Sequence, residues 1–148
     1  MENNPYQTPA AAPAALSQTT YKPTINQILW GFEGRINRST YWLWTVISAL
    51  AFFLIFGFGI GFGELLATDD STEMAEPSTL GIVIAIIAFI PYIWISWALA
   101  VKRWHDRDKS GFWVLINLIP YVGGIWSFIE NGCLGGTQGM NTYGPPQA

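Results

Sequence analysis

Three long apolar runs separated by polar stretches dominate the chain: Tyr41–Gly63, Thr79–Val101 and Gly111–Glu130. None holds a charge before its last position, and only the third ends on one, Glu130. At a helical rise of about 1.5 Å per residue, about 20 apolar residues cross a hydrocarbon core of about 30 Å. The pattern therefore predicts three transmembrane helices, at about 41–63, 79–101 and 111–130. Ahead of them, Ile25, Ile28, Leu29 and Phe32 recur at the spacing of one helical face, in a stretch too short to span. That spacing predicts a short amphipathic helix. It lies in the headgroup layer with Trp30 at the interface, or packs on the ends of the spans. Ser39 is placed to cap the first span. Residues 1–24 carry Pro5, Pro9, Pro13 and Pro23 among small polar residues and have too little apolar surface to fold, so they are expected to be a disordered tail. This stretch lacks the basic start and apolar centre of a signal peptide, and the first span is expected to act as an uncleaved anchor. The expected fold is an all-α integral membrane protein. A disordered N-terminal tail (1–24) leads into a membrane domain (25–148) of one interfacial amphipathic helix and three transmembrane helices.

Composition agrees: 51% of residues are hydrophobic and 11% charged, against about a quarter charged in an ordinary soluble domain. Charge then orients the runs. All seven Lys and Arg precede the first run (Lys22, Arg35, Arg38) or lie between the second and third (Lys102, Arg103, Arg107, Lys109). Short loops rich in Lys and Arg stay in the cytoplasm. Three spans would thus put the N-terminus and the 102–110 loop inside, and the acidic 64–78 loop and the C-terminal tail outside. On that reading seven inner cations face Glu2, Glu33, Asp106 and Asp108, leaving three positive charges. Glu64, Asp69, Asp70, Glu73, Glu76 and Glu130 would be external.

Small and helix-breaking residues qualify each run. Gly57, Gly59, Gly61 and Gly63 end the first and make two overlapping small-xxx-small pairs, Gly57/Gly61 and Gly59/Gly63, which favour close helix packing. The glycines are not a dinucleotide loop, because no strand precedes them and an acidic loop follows. Pro91 removes a backbone donor from the second run and predicts a kink. Asn117, Pro120, Gly123 and Gly124 interrupt the third, where a full crossing competes with a re-entrant pair of half-helices. The length of the run, with Trp113 and Trp126 near its two ends, favours a crossing.

Three polar elements remain: GRINRSTYW at 34–42, KRWHDRDKSGFW at 102–113 and GTQGMNTYGP at 136–145. Through Gly34, Arg35, Arg38, Tyr41 and Trp42, then Arg103, His105, Asp106, Ser110, Gly111, Trp113 and Pro120, and last Gly139, Asn141, Tyr143, Gly144 and Pro145, the chain resembles the domain of unknown function (DUF) 805 family of small bacterial inner-membrane proteins. The resemblance covers about residues 27–146. It implies a location in the bacterial inner membrane and supplies no biochemical activity. Thr142, where the family often carries a basic residue, and Pro146, reached without an acidic residue between the prolines, depart from the pattern and remove charge from the tail.

Three readings compete for the basic residues. They can be topology determinants beside anionic headgroups, each attracted by about 1 kcal/mol. Arg35, Arg38, Arg103, His105, Asp106 and Arg107 can instead form an Arg–Asp or Arg–phosphate clamp across the inner helix ends, since guanidinium binds planar anions through two parallel bonds. In the third reading, His105 and Asp106 do acid–base chemistry with Ser110 as nucleophile. That reading is weak, because adjacent helical residues point apart. One His and one Cys, Cys133, cannot supply the ligands zinc needs, and the acidic loop lacks calcium-loop spacing. No cofactor and no nucleic-acid partner is expected. The expected function is that of a non-enzymatic membrane protein. Its basic cytoplasmic face would bind anionic phospholipid headgroups or a membrane protein partner. The alternative is an oligomeric channel or transporter component packed through Gly57 and Gly61.

Overall fold

The computed structural model describes residues 20–66 and 79–148. The expected tail up to residue 19 and most of the acidic loop lie outside the described residues. All regular elements described are helical: α1 (Ile25–Leu29), α2 (Arg38–Leu66), α3 (Thr79–Asp106), a 3₁₀ helix (Gly111–Leu118) and α4 (Val122–Ser127), which runs on into a π-helical segment (Phe128–Cys133).

Each start and stop has a local cause. Thr24 and Gln27 form a reciprocal capping box that opens α1. Asn37, not Ser39, caps α2: its Oδ1 accepts from the Thr40 amide at 2.8 Å and from the Ser39 hydroxyl at 2.9 Å. The C-terminus of α3 closes in a Schellman arrangement, with Lys109 N donating to Trp104 O (3.0 Å) and Asp108 N to His105 O (2.9 Å). Asp108 takes the left-handed position usually given to glycine (φ 57°).

α2 and α3 are long and apolar enough to cross a membrane. They contain 29 and 28 residues, about 44 and 42 Å at about 1.5 Å per residue. Both exceed a core of about 30 Å, so each is long enough to cross one and extend beyond it. They pair through Phe52, whose ring stacks on Tyr92 at 4.6 Å, and through Gly59. A Cβ at Gly59 would lie 2.5 Å from Ile84 Cγ2, so only glycine allows this approach. Among the described residues, nothing beyond their own helix lies within 4 Å of a Cβ built at Gly57 or Gly61, which face away from that contact. α3 passes through Pro91 uninterrupted.

The expectation of a third full span at 111–130 is corrected. The run is a hairpin. Pro120 disfavours helical backbone in the residue before it, and Ile119 is extended (φ −84°, ψ 112°). The chain then reverses at Tyr121, whose φ of 64° lets Val122 N donate to Pro120 O at 2.7 Å. The limbs touch: a Cβ on Gly123 would sit 1.9 Å from Ile116 O, and Ser127 Oγ donates to Asn117 Oδ1 at 2.6 Å. Eight residues of 3₁₀ helix at about 2.0 Å each reach about 16 Å, half a bilayer core. The two limbs therefore return the chain to the end it left.

The C-terminal tail accordingly lies at the same end of the helix pair as the 102–110 segment, not at the opposite end that three spans would require. It packs on the end of α3. Thr137 N donates to Asp106 O at 2.8 Å, and Asn141 Nδ2 to His105 O at 2.8 Å. The last residues of the expected N-terminal tail are held there too: Tyr21 N donates to Pro146 O, and Ala148 N to Tyr21 O, both at 3.0 Å. The segment around Tyr21 and the residues up to Ala148 thus meet at one end of the helix pair, the basic end.

Candidate ion-cluster site

The polar motif at 102–106 is the last turn of α3 rather than a loop. From Ala98 to Asp106 every residue is buried, because α1, the hairpin and the tail surround this turn. Ala100, Val101, Trp104 and Val114 form one apolar cluster, and Ile28, Ile36 and Leu99 another. Ile28 of α1 thus packs on the spans rather than facing headgroups, while Ile25 is exposed. Among the described residues, most of the buried positions lie where the cations are, at an end of the helices rather than between them.

Asp106 is shared by two arginines. Arg35 holds its Oδ1 through Nη2 (2.9 Å) and Nε (3.1 Å), and Arg103 Nη1 pairs with its Oδ2. Arg35 and Arg103 are 1% and 0% exposed. Their remaining donors go to backbone carbonyls. Arg35 reaches Gly139 O and Thr137 O (2.7 Å each) and Gly144 O (3.2 Å); Arg103 reaches Asn131 O (2.7 Å) and Leu134 O (2.5 Å). Lys102 donates to Gln27 O and Gly31 O (2.6 Å each) and to Ile28 O, at the C-terminus of α1. Arg38 Nη1 donates to Cys133 O (3.0 Å), at the end of the π-helical segment. Helix C-termini leave carbonyls without intrahelical partners and carry partial negative charge, so cations satisfy them on both counts.

A second cluster lies at the hairpin base. Glu130, expected on the far side, pairs with both Arg107 Nε (2.7 Å) and Lys109 Nζ (3.0 Å). The Arg107 contact is an ion pair without hydrogen-bond alignment. Lys109 also lies 5.4 Å from the ring centroids of Trp104 and Trp113. Asp108 is solvent-exposed and accepts from Thr142 N at 3.0 Å. The Thr142 side chain and then this backbone amide hold its carboxyl below the ordinary aspartate range.

The structure brings Arg35, Arg103 and Asp106 into direct contact, with Arg38 and Arg107 close enough to Arg103 to repel it. His105 lies beside them in another role: Nδ1 faces Gly34 O at 3.2 Å, and the ring stacks on Tyr143 at 3.8 Å. Ser110 Oγ accepts from Phe112 N (3.4 Å) and so caps the 3₁₀ helix. Among the described residues no group of three or more His, Cys, Asp or Glu could hold a metal ion. Sequence reasoning missed Lys102 as the clamp on α1, the membership of Glu130, and Gly136, where a Cβ would lie 1.9 Å from Asp106 Oδ2. The run Gly135-Gly136-Thr137-Gln138-Gly139 was the available signal for a close backbone approach.

The family model described as "Protein of unknown function (DUF805)" matches residues 29–145, nearly the whole of this architecture. The chain belongs to the DUF805 family. Among its relatives, this DUF805 chain is 31% identical to inner membrane protein YhaH of Escherichia coli strain K12 over 115 residues, covering 78% of the chain and 85% of YhaH. It is 32% identical to inner membrane protein YhaI of the same strain over 114 residues, covering 77% and 83%. No solved structure matches the chain. With helices apolar enough to span and inner-membrane relatives, this DUF805 member is a membrane protein.

Proposed function

We propose that this DUF805 protein is a non-enzymatic, multi-pass protein of the bacterial inner membrane that holds anionic phospholipid headgroups at its basic end. The proposed topology has two crossings, a hairpin entering from the basic side and both chain ends on that side. The positive-inside rule makes that side cytoplasmic.

The observation that carries the reading is the charge left over after internal pairing. Lys22, Arg35, Arg38, Lys102, Arg103, Arg107 and Lys109 share this end with Glu33, Asp106, Asp108 and Glu130 alone among the described carboxylates. Arg38 is exposed, and Arg107 and Lys109 keep part of their side chains open (18% and 31%). Each cation near an anionic leaflet gains about 1 kcal/mol. The test is native mass spectrometry of protein extracted gently from its own membranes, beside an Arg38→Gln/Arg107→Gln variant. Arg103 is a poor target because it is buried in the fold. Co-purifying anionic lipid that the variant loses supports the reading; equal retention refutes it. Fusing a phosphatase or a fluorescent protein to the C-terminus tests the topology, and an active phosphatase would overturn it.

A second reading, a component of an oligomeric channel or transporter, draws support from Gly57 and Gly61. They leave an open, close-packing surface on the far side of α2. A strictly monomeric protein in native membranes would end it.

A further inference from the structure

Beside Asp106 a polar recess of about 250 Å³ opens at the start of α2. Its walls are Arg35, Asn37, Arg38, Asp106 and Gln147, with the Gly135–Gly139 turn. Three features of this recess concern charge and donors, and each is independent of the others.

Arg35 and Arg103, both buried, share one carboxylate, and Arg38 stands on the same rim. Glu130 does not offset them, since Arg107 and Lys109 already pair with it. Arg35 and Arg103 leave one buried positive charge in excess over Asp106, where unbalanced charge is costly, and Arg38 adds a second, solvent-exposed one at the rim. Donors are also in surplus. Of the five residues of the turn, only Thr137 directs its amide to a partner among the described residues, Asp106 O at 2.8 Å. Arg38 uses one of its five N–H groups, on Cys133 O. Last, the recess lies at the N-terminus of a 29-residue helix; Asn37 Oδ1 already accepts the Thr40 amide there and Gln147 Oε1 the Asn37 amide, so what the helix adds for an anion is its dipole.

We infer that this recess binds a phosphomonoester group, with Arg38 and the glycine turn as its donors and Arg35 as the buried charge behind it. The inference deepens the headgroup reading above and rests on it. A phosphomonoester carries close to two negative charges near neutral pH and three terminal oxygens, which matches the excess charge and the fan of donors. A phosphodiester headgroup brings one charge and two free oxygens. On the topology proposed above, the recess opens where α2 would enter the membrane, near the level of lipid phosphates.

The test uses full-length protein in detergent, stripped of native lipid and offered phosphatidic acid or phosphatidylglycerol at equal concentration, with retention read by native mass spectrometry. Phosphatidic acid is expected to be retained at least tenfold better. Arg38→Gln should abolish that preference while the protein still elutes as a single species. Arg38→Lys, which keeps charge but loses the fork, should restore part of it. Gly135→Val fills the recess from a position where an added Cβ meets nothing within 4 Å, and should also abolish the preference. Competition by millimolar glycerol 3-phosphate would identify a soluble phosphomonoester as ligand; failure to compete would identify the lipid. Equal retention of both lipids, or a preference indifferent to Arg38 and Gly135, overturns the recess. If Arg107→Gln nevertheless lowers retention of both lipids, the broader headgroup reading survives. If neither lipid is held, both readings fall.

Discussion

Replacing Asp106 with asparagine would remove the one charge that two buried guanidiniums share and leave the shape of the site nearly intact. The Asp106 side chain is 8% exposed, and its partners Arg35 and Arg103 are 1% and 0% exposed, so little water is available to replace the lost carboxylate. Breaking a buried pair by removing one partner costs about 3–5 kcal/mol, because an uncompensated charge stays behind. At about 1.4 kcal/mol per decade, the folded-to-unfolded ratio should fall by roughly two to three and a half decades. Equilibrium unfolding in mixed micelles, followed by tryptophan fluorescence, would read this directly, since Trp104 is buried beside the site. Arg35→Gln combined with Asp106→Asn should cost less than the sum of the two changes, with a coupling of about 1–3 kcal/mol. An Asp106→Asn protein within about 1 kcal/mol of wild type, or strict additivity in the cycle, would refute the view that this carboxylate holds the three segments together.

The two faces of α2 should respond differently to bulk. Gly59→Leu forces a side chain into Ile84 and should destabilise the helix pair by about 1–3 kcal/mol, whereas Gly61→Leu should stay within about 0.5 kcal/mol for the isolated chain. Any loss of self-association in the Gly61 variant, seen by light scattering, would then report a contact between copies. Gly136→Ala drives a methyl into the Asp106 carboxylate and should release the tail, measured as faster hydrogen exchange from Thr137 to Gly144. Because the Asp108 pKa is depressed in the folded state, its contribution to tail docking is fully present above the ordinary aspartate pKa. It is lost as pH falls through the lowered folded value. Exchange at the Thr142 amide should accelerate in that acid window and not between pH 6 and 8.

What the sequence made legible was whatever depends on local composition. Two spans follow from uninterrupted apolar length, and the polarity of the molecule follows from the placement of Lys and Arg. The third run misled because its length and its tryptophans suggested a crossing. Pro120 and Gly123, which permit the reversal and the contact between limbs, are single residues whose effect depends on what they meet. One wrong side for the hairpin carried Glu130 and the whole tail with it. Arg35 and Asp106 could be named as partners from charge and chemistry. Their burial could not, since it comes from a tail more than a hundred positions away from Arg35. Carbonyl acceptors leave no trace in side-chain identity either, which is why Lys102 read as one more surface cation.

The tail contact also constrains how the protein is made. Arg35 is made about a hundred residues before the carbonyls of Thr137, Gly139 and Gly144 that complete its shell. Until those residues are made, the basic end is an open cluster of guanidiniums, free to attract lipid phosphate, translocon or ribosomal RNA. A chain lacking residues 139–148 would lose the Gly139 and Gly144 acceptors and never close that end. Quality control could thus tell a closed molecule from an open one by a charge left uncovered at the basic end.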